Sequence, residues 1–375
     1  MVRIIRSSTV KNKKKIIFVF PTNRKKLIGE VRRRVTPDNG LYGLNHLQGS
    51  FDIETVEVST VWERILNLLL LPVTIFFNSE HTRLNLGRMI LALYESGSAD
   101  LAVTCVDSVS KAACLLKKFG IMRQHLVCMA GNVLDGTERL IFLHRWLLSG
   151  ADLIVTHAPV DQEKLTGLGL RNGVCIPVGS DASFYQKHAN SEFPASPARG
   201  RIQNLKLVVS IGADRDRDYQ TLFLAASQLP QLKFIVCCGR KNVESLKIPD
   251  NVDVRTGVSS TETKNILAKA ELIVIPLKET YRASGQLAML DAMLIGKPVI
   301  VSRTRGTVES YGLIDKKHIL LSQPEDAEDL VRDIKNLQSS RKLRQNLGEA
   351  GRKLALGYTT MKYAEKLKKI ILASD

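Results

Sequence analysis

The sequence predicts an α/β protein of two doubly wound domains facing each other across a cleft. Three observations predict it. Short, continuously apolar runs alternate with helix-length segments along the chain, as in buried parallel sheets. The alternation stops once, at 185–204, where two prolines and small or polar residues carry no periodicity, and then restarts. A chain of 375 residues with 44% hydrophobic and 24% charged residues suits two ordinary cores.

In order, the first half offers strands at Lys15–Phe20, Asp100–Cys105, His125–Met129, Asp152–Thr156 and Gly173–Pro177. The second offers Leu205–Ile211, Lys233–Cys238, Val252–Arg255, Leu272–Pro276, Val299–Ser302 and His318–Leu321. Helices fill the gaps, ending with Thr360–Leu372, whose Tyr363, Leu367 and Ile370–Ile371 recur at helical spacing. The domains are therefore 1–184 and 205–375, joined by a linker at 185–204.

The net charge of +17 favours an anionic partner. Residues 1–34 alone hold twelve Lys or Arg, Arg32, Arg33 and Arg34 among them, against one acid, Glu30. Nucleic acid alone is disfavoured, because this basic stretch lacks interleaved aromatics on which bases stack. The six cysteines have no framework spacing and read as free thiols in a reducing compartment. Scattered histidines argue against a metal site, and His144 and His157 read as structural. No secretory signal or spanning helix is expected. The apolar run Val61–Phe77 has two readings: a buried helix, or a membrane-dipping face beside the basic N-terminus.

The chemistry concentrates in the second half. A strand ends at Ile211, Gly212 permits a tight turn, and Arg215 and Arg217 follow; Arg suits a diphosphate because its planar fork makes two parallel charge-assisted bonds. An exposed turn of internal Arg–Asp pairs is the alternative. At 251–260 a strand, a Gly turn and Ser259 precede a helix, which capping alone explains. Then come an apolar strand, the polar loop Lys278–Ser284, a helix opened by Gly285, and an acid, Asp291, about two turns in. A helix N-terminus at the carboxyl end of a parallel strand is where α/β folds place anions.

Together these segments resemble the C-terminal domain of GT-B glycosyltransferases, most closely the retaining enzymes grouped as family 4 (glycosyl transferases group 1). The resemblance covers 205–375 well. The first half matches less closely, through the exit Ile176-Pro-Val-Gly-Ser-Asp-Ala-Ser-Phe184. It implies that Gly212, Arg215 and Arg217 hold the donor diphosphate and that Val258 and Ser259 bracket the nucleobase. Ser284, Gly285 and Gln286 would meet the diphosphate and sugar, and Asp291 would take the ribose hydroxyls. Two departures stand out. Ala283 occupies the place of the family's first Glu, and the usual phosphate-binding Lys is missing, leaving Arg217, Lys278 or Arg282 to serve. In the first domain, Asn132 or Asp135 would contact sugar or acceptor, and Gly40 and Gly43 either mark a turn or admit a ligand. The last helix is placed to pack back on the first domain.

The expected function is transfer of a sugar from a nucleotide-diphospho-sugar to a glycan or lipid-linked acceptor, with retention and without metal or cofactor. Arg217, Arg215 and Asn132 are the expected catalytic residues. The expected location is cytoplasmic, peripheral on the inner face of the plasma membrane, with an anionic membrane surface as partner. The alternatives are a non-catalytic nucleotide- or membrane-binding GT-B protein and a sugar-nucleotide epimerase.

Overall fold

The structure is a computed structural model that describes residues 3–6, 13–78, 83–96, 98–130, 141–186, 207–280 and 282–373. The chain divides into two compact units: Met1–Glu30 with Leu41–Pro177 and Ala364–Asp375, and Val31–Gly40 with Val178–Tyr363. Of the expected linker, 187–204 lies outside the described residues.

The first unit is built on β1 (Arg3–Arg6), β2 (Lys15–Val19), β3 (Asp52–Glu57), β4 (Leu101–Cys105), β5 (His125–Ala130), β6 (Leu153–Thr156) and β7 (Gly173–Cys175). Their order is β1-β3-β2-β4-β5-β6-β7. All neighbours are parallel except β1, which runs antiparallel to β3. The central strands are almost wholly buried, which explains their unbroken apolar runs.

Two strands were not expected from the sequence. Asp-Ile-Glu-Thr-Val-Glu in β3 has only two apolar residues, yet its Glu54 is buried and lies 3.4 Å from Lys15 Nζ. The pairing of β1 with β3 sets Arg3 opposite Glu57 and Arg6 opposite Glu54 in register. Part of the basic N-terminus is thus aligned with carboxylate positions of its own sheet.

The segment Val61–Phe77 is not a buried helix. It forms a helix at Thr60–Leu69, a turn at Leu71–Thr74 and a 3-10 turn at Ile75–Phe77, with Leu68 72%, Leu69 69% and Phe76 62% exposed. Among the described residues no single helix is long and apolar enough to cross a membrane; only this bent pair together has the length and composition. Gly43, at φ 77, is where Ala364 of the last helix comes close: a Cβ there would lie 2.8 Å from the Ala364 Cβ. That close packing accounts for the glycine without a ligand.

The second unit holds β8 (Leu207–Ile211), β9 (Lys233–Cys238), β10 (Val252–Thr256), β11 (Leu272–Ile275), β12 (Val299–Ser302) and β13 (Leu320–Ser322). All are parallel, in the order β10-β9-β8-β11-β12-β13. Apolar clusters fill both faces, one around Met289 and Ile273, the other around Leu222 and Val274. The stretch Val31–Gly40, which the sequence assigns to the first domain, packs here. Thr36 Oγ1 lies 2.9 Å from Ser260 Oγ, and Thr261 Oγ1 donates to the Val35 carbonyl at 3.0 Å. The helix Thr360–Ala373 begins in this unit and ends in the other.

Candidate functional site

From β8 the chain of the second unit winds outward to β9 and β10, then returns to place β11 on the other side of β8. The strand order reverses between β8 and β11. Open parallel sheets bind ligands outside the carboxyl ends of strands at such a switch point. The two segments leaving those ends are the Gly212–Asp218 turn and the Leu277–Gly285 loop.

These segments are tied by their backbones. Arg217 and Leu277 form an antiparallel bridge, Lys278 N–H donates to the Asp216 carbonyl at 2.9 Å, and Asp218 N–H donates to the Pro276 carbonyl at 3.1 Å. Side chains add to this. Ser284 Oγ donates to Asp216 Oδ2, which also lies 3.6 Å from Arg282 Nε, while Asp216 Oδ1 lies 3.7 Å from Arg215 Nε. One carboxylate therefore sits between two guanidinium groups. Sequence reasoning named both arginines and Ser284 but not Asp216, whose contacts lie up to 68 residues away.

Arg217 is placed differently from Arg215. Its side chain is buried, folded beneath Gly212, with Nε donating to Asp214 Oδ2 at 2.8 Å. Its Nη1 is buried without a hydrogen-bond partner among the described residues. Arg215 and Lys278 are exposed and Arg282 half-buried, so all three reach the solvent side of this rim, Arg215 and Arg282 beside Asp216. Arg215, Arg217, Lys278 and Arg282 are matched in number by Asp214, Asp216, Asp218 and Glu279, so the two segments carry no net formal charge. Asp218 is buried as a helix cap, whereas Arg215 and Lys278 are exposed.

The helix Gln286–Leu294 starts at Gly285, in a left-handed conformation at φ 74, and has no side-chain cap. Ser284, which could have capped it, points to Asp216 instead. The first-turn amides thus carry the positive end of the helix dipole at the switch point, suited to a phosphate. A Cβ on Gly285 would meet Ile275 Cγ2 at 3.0 Å, so close packing on β11 also requires glycine. Ala283, in the loop just before it, brings no polar side chain.

Ser259 caps the helix Ser260–Lys269, its Oγ accepting from Glu262 N–H at 3.2 Å, and Val258 packs half-buried on the core. Gln286 is buried in the first turn of its helix. Asp291 is deeply buried. Its Oδ1 accepts from Ser180 Oγ at 2.5 Å and from Asn39 Nδ2 at 3.4 Å, and its Oδ2 accepts from Tyr185 at 2.9 Å. Burial raises its pKa to about 7, and the three hydrogen bonds oppose that rise. Both oxygens expected to take ribose hydroxyls are thus engaged by protein donors. Asn132 and Asp135 lie outside the described residues.

His157 is buried, stacked on Tyr42, with Nδ1 3.2 Å from the Ile176 carbonyl, and burial lowers its pKa. His144 is likewise buried. The six cysteines are unpaired, five of them buried. Among the described residues no three His, Cys, Asp or Glu gather as metal ligands would.

Residues 194–354 match the family described as Glycosyl transferases group 1. They span both segments of the switch point. This part of the chain is similar to glycosyl transferases of group 1. A curated relative, the MMP alpha-(1->4)-mannosyltransferase of Mycolicibacterium hassiacum, is 26% identical over 48% of this chain and 43% of its own length. The chain therefore matches less than half of that protein. The whole fold has solved counterparts. HepE of Anabaena in complex with UDP-glucose superposes with a TM-score of 0.66 at 15% identity, covering 96% of this chain and 99% of that one. Sucrose-phosphate synthase of Thermosynechococcus elongatus gives 0.67 at 15%, covering 97% and 100%. A glycosyltransferase of Rickettsia africae gives 0.66 at 14%, covering 97% and 99%. The chain has the GT-B fold, and the segment similar to glycosyl transferases of group 1 carries the switch point.

Proposed function

We propose that this protein is a glycosyltransferase moving a hexosyl group from a nucleotide-diphospho-sugar to a glycan or lipid-linked glycan, with retention, at the cytoplasmic face of a membrane. One observation carries the proposal. An uncapped helix start at Gly285 and a rim of Arg215, Lys278 and Arg282 meet at the strand switch point of the segment similar to glycosyl transferases of group 1. Charge builds on the departing diphosphate in the transition state, and preorganised donors aimed at it lower the barrier without reorganisation. Arg217 supports the turn from beneath, its Nε held by Asp214 and its Nη1 buried without a hydrogen-bond partner among the described residues.

Retention rests on the resemblance to the retaining enzymes of family 4. Ala283 cannot bind a sugar hydroxyl or stabilise charge as the family's Glu would, and no protein nucleophile stands out in the sequence. That agrees with a scheme in which a leaving phosphate oxygen accepts the proton of the attacking hydroxyl on the same face of the sugar. Asp291 would contact the ribose diol by exchanging one of its present donors. Asn132 remains the candidate from the first domain.

Ala283 also favours a second reading, a GT-B protein that binds nucleotide without turnover. Incubation with UDP-, GDP- and ADP-sugars, with release of nucleoside diphosphate followed, separates the two. Transfer predicts release that an acceptor accelerates, and NMR of the product should show the anomeric configuration of the donor. Binding without release would support the second reading; inverted product would remove retention.

A further inference from the structure

The helix Thr60–Leu69 is attached to its unit by the wrong face for a soluble protein. An ordinary surface helix buries its apolar stripe and exposes its polar one. Here the polar residues turn inward. Glu63 accepts from Arg88 Nε at 3.2 Å and Nη2 at 2.8 Å, and from Asn85 Nδ2 at 2.7 Å. Asn67 donates to Asn85 Oδ1 at 2.9 Å and accepts from Gly87 N–H at 2.8 Å. Arg88 is almost wholly buried. Gly87 lets the helix come close: a Cβ there would lie 2.7 Å from the Glu63 carbonyl oxygen. The outer face is left to Val61, Trp62, Ile65, Leu68 and Leu69, all exposed.

This face does not end with the helix. Ile75 and Phe76 continue it, and Phe77 stacks on Trp146 at 6.2 Å between ring centroids. Phe119 meets Trp146 edge-on at 6.5 Å, and Phe119, Ile121 and Phe142 are each more than 60% exposed. Both tryptophans of the chain, Trp62 and Trp146, belong to this one surface. Apolar patches of this size on a soluble unit mark an interaction site.

Charge selects the partner. Stretches 60–77, 117–123 and 141–149 contain a single acid, Glu63, and it is held inward by Arg88. Of their cations, Arg64, Arg123 and Arg145 are exposed and Lys118 lies 5.5 Å over the Trp146 ring, while Lys117 pairs with Asp152. An apolar face with interfacial tryptophans, basic flanks and no free carboxylate fits an anionic lipid bilayer entered to headgroup depth.

We propose that this surface docks the protein on an anionic membrane, with the bent segment Thr60–Phe77 dipping into the interface beside Phe119, Ile121 and Phe142. The inference needs no sugar transfer, and its test uses no donor. Full-length protein is mixed with phosphatidylcholine vesicles with and without phosphatidylglycerol, and tryptophan emission and co-sedimentation are followed. Binding should rise with phosphatidylglycerol, weaken in high salt and persist in part. Emission should shift to the blue, and brominated acyl chains should quench it. The combined variant Leu68→Ser, Leu69→Ser, Phe76→Ser should weaken vesicle binding by about a hundredfold or more, with thermal unfolding unchanged because all three are exposed. Three outcomes would overturn the proposal: no blue shift or quenching in the unmodified protein, unaltered vesicle binding in the variant, or a dimer in solution that the variant dissolves, which would assign the surface to a second copy.

Discussion

The Arg217 guanidinium lies directly beneath Gly212: a Cβ on Gly212 would fall 2.2 Å from Arg217 Nε. Gly212 also sits at φ 140, where side chains are strained. Glycine here lets the first turn after β8 close over the arginine that supports it. Gly212→Ala should therefore destabilise the protein by about 2–4 kcal/mol in urea unfolding, and what remains folded should bind nucleoside diphosphates more weakly. A variant as stable as the unmodified protein would show that Arg217 has other room and does not brace the turn.

Asp216 separates Arg215 from Arg282 and holds Ser284. Its carboxylate also opposes any incoming diphosphate. Asp216→Asn keeps the shape and an acceptor for Ser284 while removing that charge. Nucleoside diphosphates should bind more tightly by about 0.5–1 kcal/mol, the scale of partly exposed charge pairs. Weaker binding in calorimetry would show that Asp216 matters more for ordering the arginines than for the charge it subtracts.

Asp291 gives a pH dependence. Its pKa rises from 3.8 to about 7 in the folded protein. Between those values the folded state holds a proton that the unfolded chain has released, so this contribution is full below about pH 4 and falls as pH rises through 7. At one pKa unit per 1.36 kcal/mol, the loss is about 4 kcal/mol at most. Asp291→Asn cannot titrate, so its stability relative to the unmodified protein should improve by up to that amount across this window. Urea unfolding at a series of pH values checks it; a constant difference would mean that Asp291 ionises as an exposed carboxylate does.

The buried parallel strands were legible because both faces are covered and each reads as an unbroken apolar run. β3 was not, since Glu54 interrupts the run and its burial is offset by Lys15, which is distant in sequence. The switch point was legible through Gly212, Gly285 and the arginines, whose order along the chain follows the strand order. Which arginines face outward was not. Arg215 and Arg217 differ by two positions and look alike in sequence, yet one is exposed and the other folds under a glycine. The donors to Asp291 come from Asn39, Ser180 and Tyr185, over 100 residues away in sequence, so its internal network had no local signal. The apolar run Val61–Phe77 left a buried helix and a membrane-dipping face both open, because the polar contacts of Glu63 and Asn67 are with Asn85, Gly87 and Arg88, outside the run.

The central claim is that the switch point of the second unit holds a nucleoside diphosphate. Titration calorimetry with UDP, GDP, ADP, CDP and dTDP tests it most directly, on the unmodified protein and on Arg215→Ala and Arg282→Ala, whose side chains reach the rim without filling a core. At least one diphosphate should bind, and each variant should weaken it by about 1.5–3 kcal/mol with unfolding unchanged. Binding of none of the five, or equal binding by both variants, would contradict the claim.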